Sequence, residues 1–456
     1  MLVLRTDCHF DGARFVDGDV AIAVEGGVIT RVEPVDAGRP LPPGAVDARG
    51  QVVMPGMVNA HVHIARGGVF EPQERVSPSQ AARNLGDALA AGTTTVGDMG
   101  CAPAVIAALR RRAGTTPSAG PQIRCAGPLL TAPGGYPLDW MPPLFVRLGL
   151  ALPCADERAA GRAVERVARA GMDFVKLAVM HQSYSEQPIP AVTPPVARAV
   201  VEAAHRSGLR VLAHAHSVAD YRVALAAGVD ALMHSSFEPL DPETVARVRD
   251  AGIPVCPTLW VFDSVCLGAE TRLDRDDRYT RHVAPYIRRS WRRFAEAYAA
   301  SGDVVPPGIA GGVAKARARE AVRNAAANLR LLREAGVPIA FGNDASYGFS
   351  LVARPVDELT AMQRAGMDAE ACLRAATSES ARLLGCSDRG VIRPGARADL
   401  LVVDRAVRKD VAAMDAPREV IAAGTRLGRR PSRRLGTAWA FARGMARTVV
   451  EGVTSR

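Results

Sequence analysis

Two hydrophobic periods divide the chain. Over residues 2–50, short β-type runs such as DVAIAV and GVITRVEP alternate with Gly, Asp and Pro turns, the pattern of a meandering antiparallel sheet. From about residue 52, short apolar runs alternate with Ala/Arg/Glu-rich amphipathic stretches, the pattern of βα units. Eight runs fit: QVVMPGMVNAHVH, TTVGDM, QIRCAG, DFVKLAV, LRVLAHAH, VDALMH, IPVCPT and VPIAFGND. The stretches between them, such as 157–171 and 194–208, end in Gly, as helix C-caps do. Eight βα repeats are the arithmetic of an α/β chain of the TIM (β/α)8 barrel type.

The barrel is expected over 52–389. Its last connection, from Thr258 to Val337, exceeds one helix and carries Arg-rich helical segments (281–299 and 315–335) around the Gly/Pro loop GDVVPPGIAGG. We read it as a helical insertion at the barrel mouth, with the span 260–335 as a candidate lid. Strand patterns resume in RADLLVVD and REVIAAGTRL, so 390–427 is expected to join residues 1–51 in a small terminal domain. Residues 428–456 form an Arg-rich tail in which Leu435, Trp439, Ala442, Met445 and Val449 share one helical face.

Charge changes this picture little. The 456 residues carry a formal +10, but residues 426–456 hold eight Arg against Glu451, leaving about +3 for the other 425. The tail is therefore expected to pack on the barrel or another subunit of a homo-oligomer, and no nucleic acid is expected. No apolar run reaches spanning length and no secretory leader is visible, so no membrane association and a cytoplasmic location are expected. Eight cysteines without a CxxC pair read as buried free thiols of a reducing compartment.

Candidate chemistry gathers at the ends of the apolar runs. His61 and His63 close the first run as HVH; in a strand, i and i+2 share a face, and two imidazoles on one rigid element suit Zn²⁺ or a similar borderline divalent metal. Lys176 lies in DFVKLAV, where an unpaired ammonium would be expensive. A desolvated amine there could react with CO₂ to give an N-carboxylated, metal-bridging lysine; the structural alternative is a head reaching solvent. His214 and His216 make a second HxH, His234 ends DALMH, and Asp344 ends AFGND, a carboxylate fit to be ligand and proton acceptor. Singly, a strand His is most often a core residue and an Asp after Gly-Asn a turn. Jointly they fall at the ends of runs 1, 4, 5, 6 and 8, where barrel enzymes build active sites.

In VVMPGMVNAHVH (52–63), AAGTTTVGDMG (90–100), GMDFVKL (171–177), VLAHAHS (211–217), AAGVDALMHSS (226–236), AGVPIAFGNDA (335–345) and GVIRPGARADLLVVD (390–404) the chain resembles the amidohydrolase superfamily, in its imidazolonepropionase-like and prolidase-like branch. The resemblance implies a TIM barrel with a small β-sandwich domain made from both chain ends, and hydrolysis by metal-activated water. It implies that His61, His63 and Asp344 hold one Zn²⁺ and that carboxylated Lys176 bridges to a second, completed by His214 and His234. His216 would then face substrate. Two departures stand out: the eighth run reads GND where GTD is usual, and APGGYPLDW (132–140) lacks the His that prolidase-like relatives often place after the two glycines.

The activity so implied is a metal-dependent hydrolase cleaving a C–N bond (amide, lactam or cyclic amide) of a small-molecule substrate, with Asp344 as catalytic proton acceptor. Alternatives are a prolidase-like dipeptidase, a mononuclear deaminase or lactonase, and a non-catalytic binding scaffold. Tyr136, His181, Tyr184 and Trp260, on loops near the expected mouth, are further candidates for touching substrate.

Overall fold

The computed structural model describes residues 1–36, 38, 40–68, 77–139, 144–183, 186–301, 303–304 and 313–428. The expected tail helix and Tyr184 lie outside the described residues.

The N-terminal strands are β1 (Leu2–Phe10), β2 (Phe15–Glu25), β3 (Val28–Pro34), β4 (Val46–Asp47) and β5 (Gln51–Pro55). Parallel strands follow: β6 (Met57–Val62), β7 (Thr93–Asp98), β8 (Gln122–Cys125), β9 (Leu129–Thr131), β10 (Ala151–Pro153), β11 (Phe174–Ala178), β12 (Arg210–His214), β13 (Ala231–Met233) and β14 (Val255–Cys256). A short antiparallel pair, β15 (Asp303–Val304) and β16 (Val313–Ala314), lies in the insertion. The chain closes with β17 (Leu400–Asp404), β18 (Glu419–Ala422) and β19 (Thr425–Leu427).

Both chain ends meet in one eight-stranded sheet, ordered β19-β18-β17-β5-β1-β2-β3 with β4 on β1. Alternation of apolar residues gives it its own buried cluster, with Leu4, Ile22, Val53, Leu400 and Ile421. The apolar run 51–63, a single strand by its pattern, is two strands in the structure. β5 pairs antiparallel with β17, whereas β6 pairs parallel with β7. Gly56 makes the joint: its N–H donates to Asp399 O at 2.8 Å, and a Cβ there would sit 2.3 Å from Thr94 Oγ1. Periodicity could not reveal this break, because every residue of both halves after Gln51 is buried.

The parallel strands fall in two ladders, β6-β7-β8 and β10-β9-β11-β12-β13-β14. Asp173 N bonds Cys125 O at 2.9 Å, linking the end of β8 to the start of β11. The eighth run forms no ladder strand but bridges β14 and β6, through Val255 N to Pro338 O (3.0 Å) and Ala60 N to Phe341 O (2.9 Å). One buried cluster takes residues from every run: Val58, Met99, Ala126, Phe174, Leu212, Met233, Cys256 and Ala340 among them. β9 and β10 are additions that the eight-run count did not foresee; at three residues each they are too short to show a period.

The long connection is helical as expected, with helices Leu259–Glu270, Pro285–Ser301 and Lys315–Glu334. It carries a second apolar cluster in which Trp291, Phe294 and Tyr298 pack with Phe349 and Leu351. Among the described residues, no helix is long and apolar enough to cross a membrane.

Candidate metal centre

His61 lies one residue from the end of β6 and His63 just past it, both aimed at the end of the eighth run. His61 Nε2 lies 3.3 Å and His63 Nε2 3.1 Å from Asp344 Oδ1. The backbone fixes this approach, since His63 N donates to Ala345 O at 2.9 Å. Gly342 permits it: a Cβ there would lie 2.6 Å from the His61 Cβ. Asp344 itself is held at φ 47°, an unusual backbone for a non-glycine residue.

On the other side, β12 ends at His214, and Ser217 starts a helix through a capping box with Asp220. The Asp220 carboxylate also accepts from His216 N at 3.0 Å, which fixes the two-residue link that carries His216. His234 follows β13 with φ 80°. Its Nδ1 lies 2.8 Å from Thr258 Oγ1, and Tyr221 Oη donates to its carbonyl at 2.8 Å. The Thr258 contact fixes the ring and leaves Nε2 for another partner.

Two groups of three donors result, His61–His63–Asp344 and His214–His216–His234, each with its ligand atoms within 4.8 Å of one another. The groups adjoin, the His61 and His234 ring centroids being 4.6 Å apart. Lys176 comes in from β11, 2% exposed, and lines the same cavity as His61, His63, His214, His234 and Asp344.

These groups are costly as they stand. Nζ of Lys176, Nδ1 of His61 and Nε2 of both His214 and His234 are buried with no hydrogen-bond partner among the described residues. Burial, reinforced by neighbouring cationic groups, holds His61, His214 and His234 well below the ordinary imidazole value. Burial likewise takes the Lys176 amine down to about 7, against the pull of Asp344. At Asp344 burial acts to raise the carboxyl, but His61, His63 and Lys176 outweigh it and hold it below the usual carboxylate range. Neutral imidazoles, a deprotonable amine and an ionised carboxylate are the donor states a divalent metal requires. Nitrogen-rich donors with one carboxylate suit zinc and its neighbours better than calcium or magnesium. The residues fit the group.

The structure brings together seven of the eleven expected site residues around this cavity: the six just described and Tyr136, whose ring stacks on His214 at 4.2 Å. His216 belongs to the second donor group but lines a neighbouring cavity. His181 is half-exposed, its Nδ1 2.6 Å from Asp220 Oδ1. Trp260 lines neither cavity; it packs in the apolar cluster of the insertion, while Phe262, two residues on, lines both. Helix geometry decides this, because placing Trp260 on a loop gave no face to choose between the two.

Sequence reasoning missed the supports. Asn59, Asp98, Thr258 and Asn343 are buried polar residues beside the donors. Asp98 accepts from Ile64 N at 2.9 Å and Gly100 N at 3.1 Å, fixing the turn after His63. A signal existed for three of them, a polar residue inside an otherwise apolar run. For Phe262 there was none.

Comparison with known proteins gives a consistent picture. The model of the amidohydrolase family matches residues 52–426. An uncharacterized protein of Mycobacterium bovis is 27% identical over 393 residues, covering 82% of this chain and 85% of that one. Imidazolonepropionase of Paracoccus denitrificans is 42% identical over 78 residues, 16% of this chain and 18% of its own. The fold is similar to the crystal structure of a Xaa-Pro dipeptidase with methionine bound in its active site. The TM-score is 0.74 at 22% identity, covering 93% of this chain and 99% of that one.

Proposed function

The chain belongs to the amidohydrolase family, and from that premise we propose that it is a metal-dependent hydrolase cleaving a C–N bond of a small molecule, an amide, lactam or cyclic amide. The observation that carries this reading is the convergence of His61, His63, His214, His234, the Asp344 carboxylate and the Lys176 amine on one cavity. His61, His63 and Asp344 would hold one zinc ion and His214 and His234 a second, with N-carboxylated Lys176 contributing a ligand to both. An amine brought down to about 7 is substantially neutral at physiological pH and open to CO₂. The eight runs close as a (β/α)8 barrel, and the terminal sheet folds as a small β-sandwich. The interstrand hydrogen bonds at both ladder ends and the cluster drawn from all eight runs support the closed barrel.

When bound, the metals supply a lowered pKa for water and polarisation of the scissile carbonyl. The chain's own groups do the rest. The imidazoles, kept neutral by burial, hold position without competing for the proton. The Asp344 carboxylate, ionised at neutral pH, accepts the proton of the attacking water and returns it to the leaving nitrogen as the C–N bond breaks. Tyr136, stacked on His214, covers one side of the cavity. Water adds across one bond, giving a carboxylate and an amine.

A screen of the zinc-loaded protein over amides, lactams, dipeptides and lactones tests the reading. Turnover of an amide or lactam, lost on chelation and restored by metal, is the expected result; turnover of lactones alone would overturn the C–N assignment.

A further inference from the structure

A second cavity of about 140 Å³ adjoins the donor cluster. Phe262 and Tyr347 line both cavities, and His216, a member of the second donor group, lines the further one. The two spaces therefore share a wall within reach of the metal donors. The His216 ring stacks on Phe237 at 4.5 Å and meets Phe262 edge-on at 5.2 Å. Val265 and Cys266 from one helix of the insertion and Ala318 and Ala321 from another complete an apolar lining.

The charged groups in this wall are already engaged. Arg317 pairs with Glu186 and, at 3.0 Å, with Glu320. Asp220 accepts from His216 N, Ser217 N and His181, and Glu238 accepts from Val218 N at 2.9 Å. An anionic guest would find Arg317 already paired, would face the Asp220 and Glu238 carboxylates, and would lose its hydration. An apolar guest would exchange water for aromatic and aliphatic contact. The small side chains on the 315–334 helix leave the room, since Ala318 and Ala321 stand where larger residues would fill it.

We propose that this cavity is a substrate subsite that takes an uncharged apolar arm, aryl or branched alkyl, joined to the scissile group held among the metal donors. The proposal rests on reading the donor cluster as the catalytic centre, and it narrows the substrate class to amides with one hydrophobic end. Charged amides such as those of dicarboxylic acids are disfavoured.

The test uses the full-length zinc-loaded protein and three matched amides carrying a 4-phenylbutyl, a methyl or a carboxyethyl arm, each placed in turn on the acyl and the amine side. On at least one side, kcat/KM for the phenylbutyl arm should exceed both others by about tenfold or more. Ala321→Trp should lower that preference ratio by about the same factor; Ala318→Leu, a smaller filling, should lower it if the first variant does not fold. Equal kcat/KM across the arms, or a ratio unmoved by filling, would overturn the subsite. Should none of the amides be cleaved, the hydrolase reading fails separately. Dissociation constants of the same three amides then decide the subsite, with the same order and the same loss on filling expected, and equal affinities overturning it.

Discussion

Asn59 Nδ2 donates to Asn343 Oδ1 at 2.8 Å, tying the strand that carries His61 to the segment that carries Asp344. The two amides do more than meet. Asn343 Nδ2 also donates to Leu351 O at 2.9 Å, and Asn59 Oδ1 accepts from His61 N at 3.3 Å. Both side chains are fully buried, so removing one strands the other. Asn343→Ala should cost about 1–3 kcal/mol in urea unfolding, the penalty of buried groups left without partners. Asn59→Ala added to it should cost less than the sum of the two single changes, and strict additivity would show that the pair is not coupled.

Gly342 makes the neighbouring point sterically. Its missing side chain leaves room for the His61 Cβ at 2.6 Å and Cys256 Sγ at 2.7 Å from the place a Cβ would take. Gly342→Ala should destabilise the fold by about 1–3 kcal/mol through overpacking and lower the metal content measured on the purified protein. An alanine variant with wild-type melting and full metal would refute the close approach.

Asp344→Asn should fold and retain metal through the histidines while kcat falls by about 10²–10⁴, the usual worth of a positioned proton acceptor. Elemental analysis and kinetics on the same sample check it. Near-wild-type kcat at full metal would remove Asp344 from the proton path.

Metal content probes Lys176. Expressed with bicarbonate, the protein should hold close to two divalent ions per chain, and Lys176→Ala should hold fewer. A single metal in both proteins would leave the hydrolase reading standing and end the binuclear one.

His181 offers a pH test away from the donors. Its hydrogen bond to Asp220 raises the imidazole above its ordinary 6.5, against partial desolvation. A raised folded-state value means stability fully present below 6.5 and lost as pH climbs through the folded value. The melting difference between wild type and His181→Gln should therefore be largest below pH 6.5 and shrink as pH rises above it. An NMR titration of His181 should show a midpoint above 6.5 that falls in Asp220→Asn. A midpoint at or below 6.5 would show that the pair does not form in solution.

The sequence by itself determined the βα alternation, the return of the C-terminal strands to the N-terminal ones, and the placing of the candidate donors His61, His63, Lys176, His214, His216, His234 and Asp344 in or just after the apolar runs. Those features are local: a period of two or of 3.6, or a polar residue closing an apolar run, can be read from a dozen neighbours. Tertiary structure alone decided what depends on distant segments coming together. It split the run 51–63 at Gly56, because β5 answers to β17 nearly 350 residues away while β6 answers to β7. It set His216 facing a second cavity although His214, two residues earlier, faces the first. The strand stops at His214 and a capped helix begins at Ser217, so the i, i+2 rule no longer holds between them. It buried Trp260 in the insertion and turned Phe262 toward the site, a choice made by how the 259–270 helix packs against its partners. Pattern fixes which residues are available near a strand end; packing across the chain fixes where each side chain points.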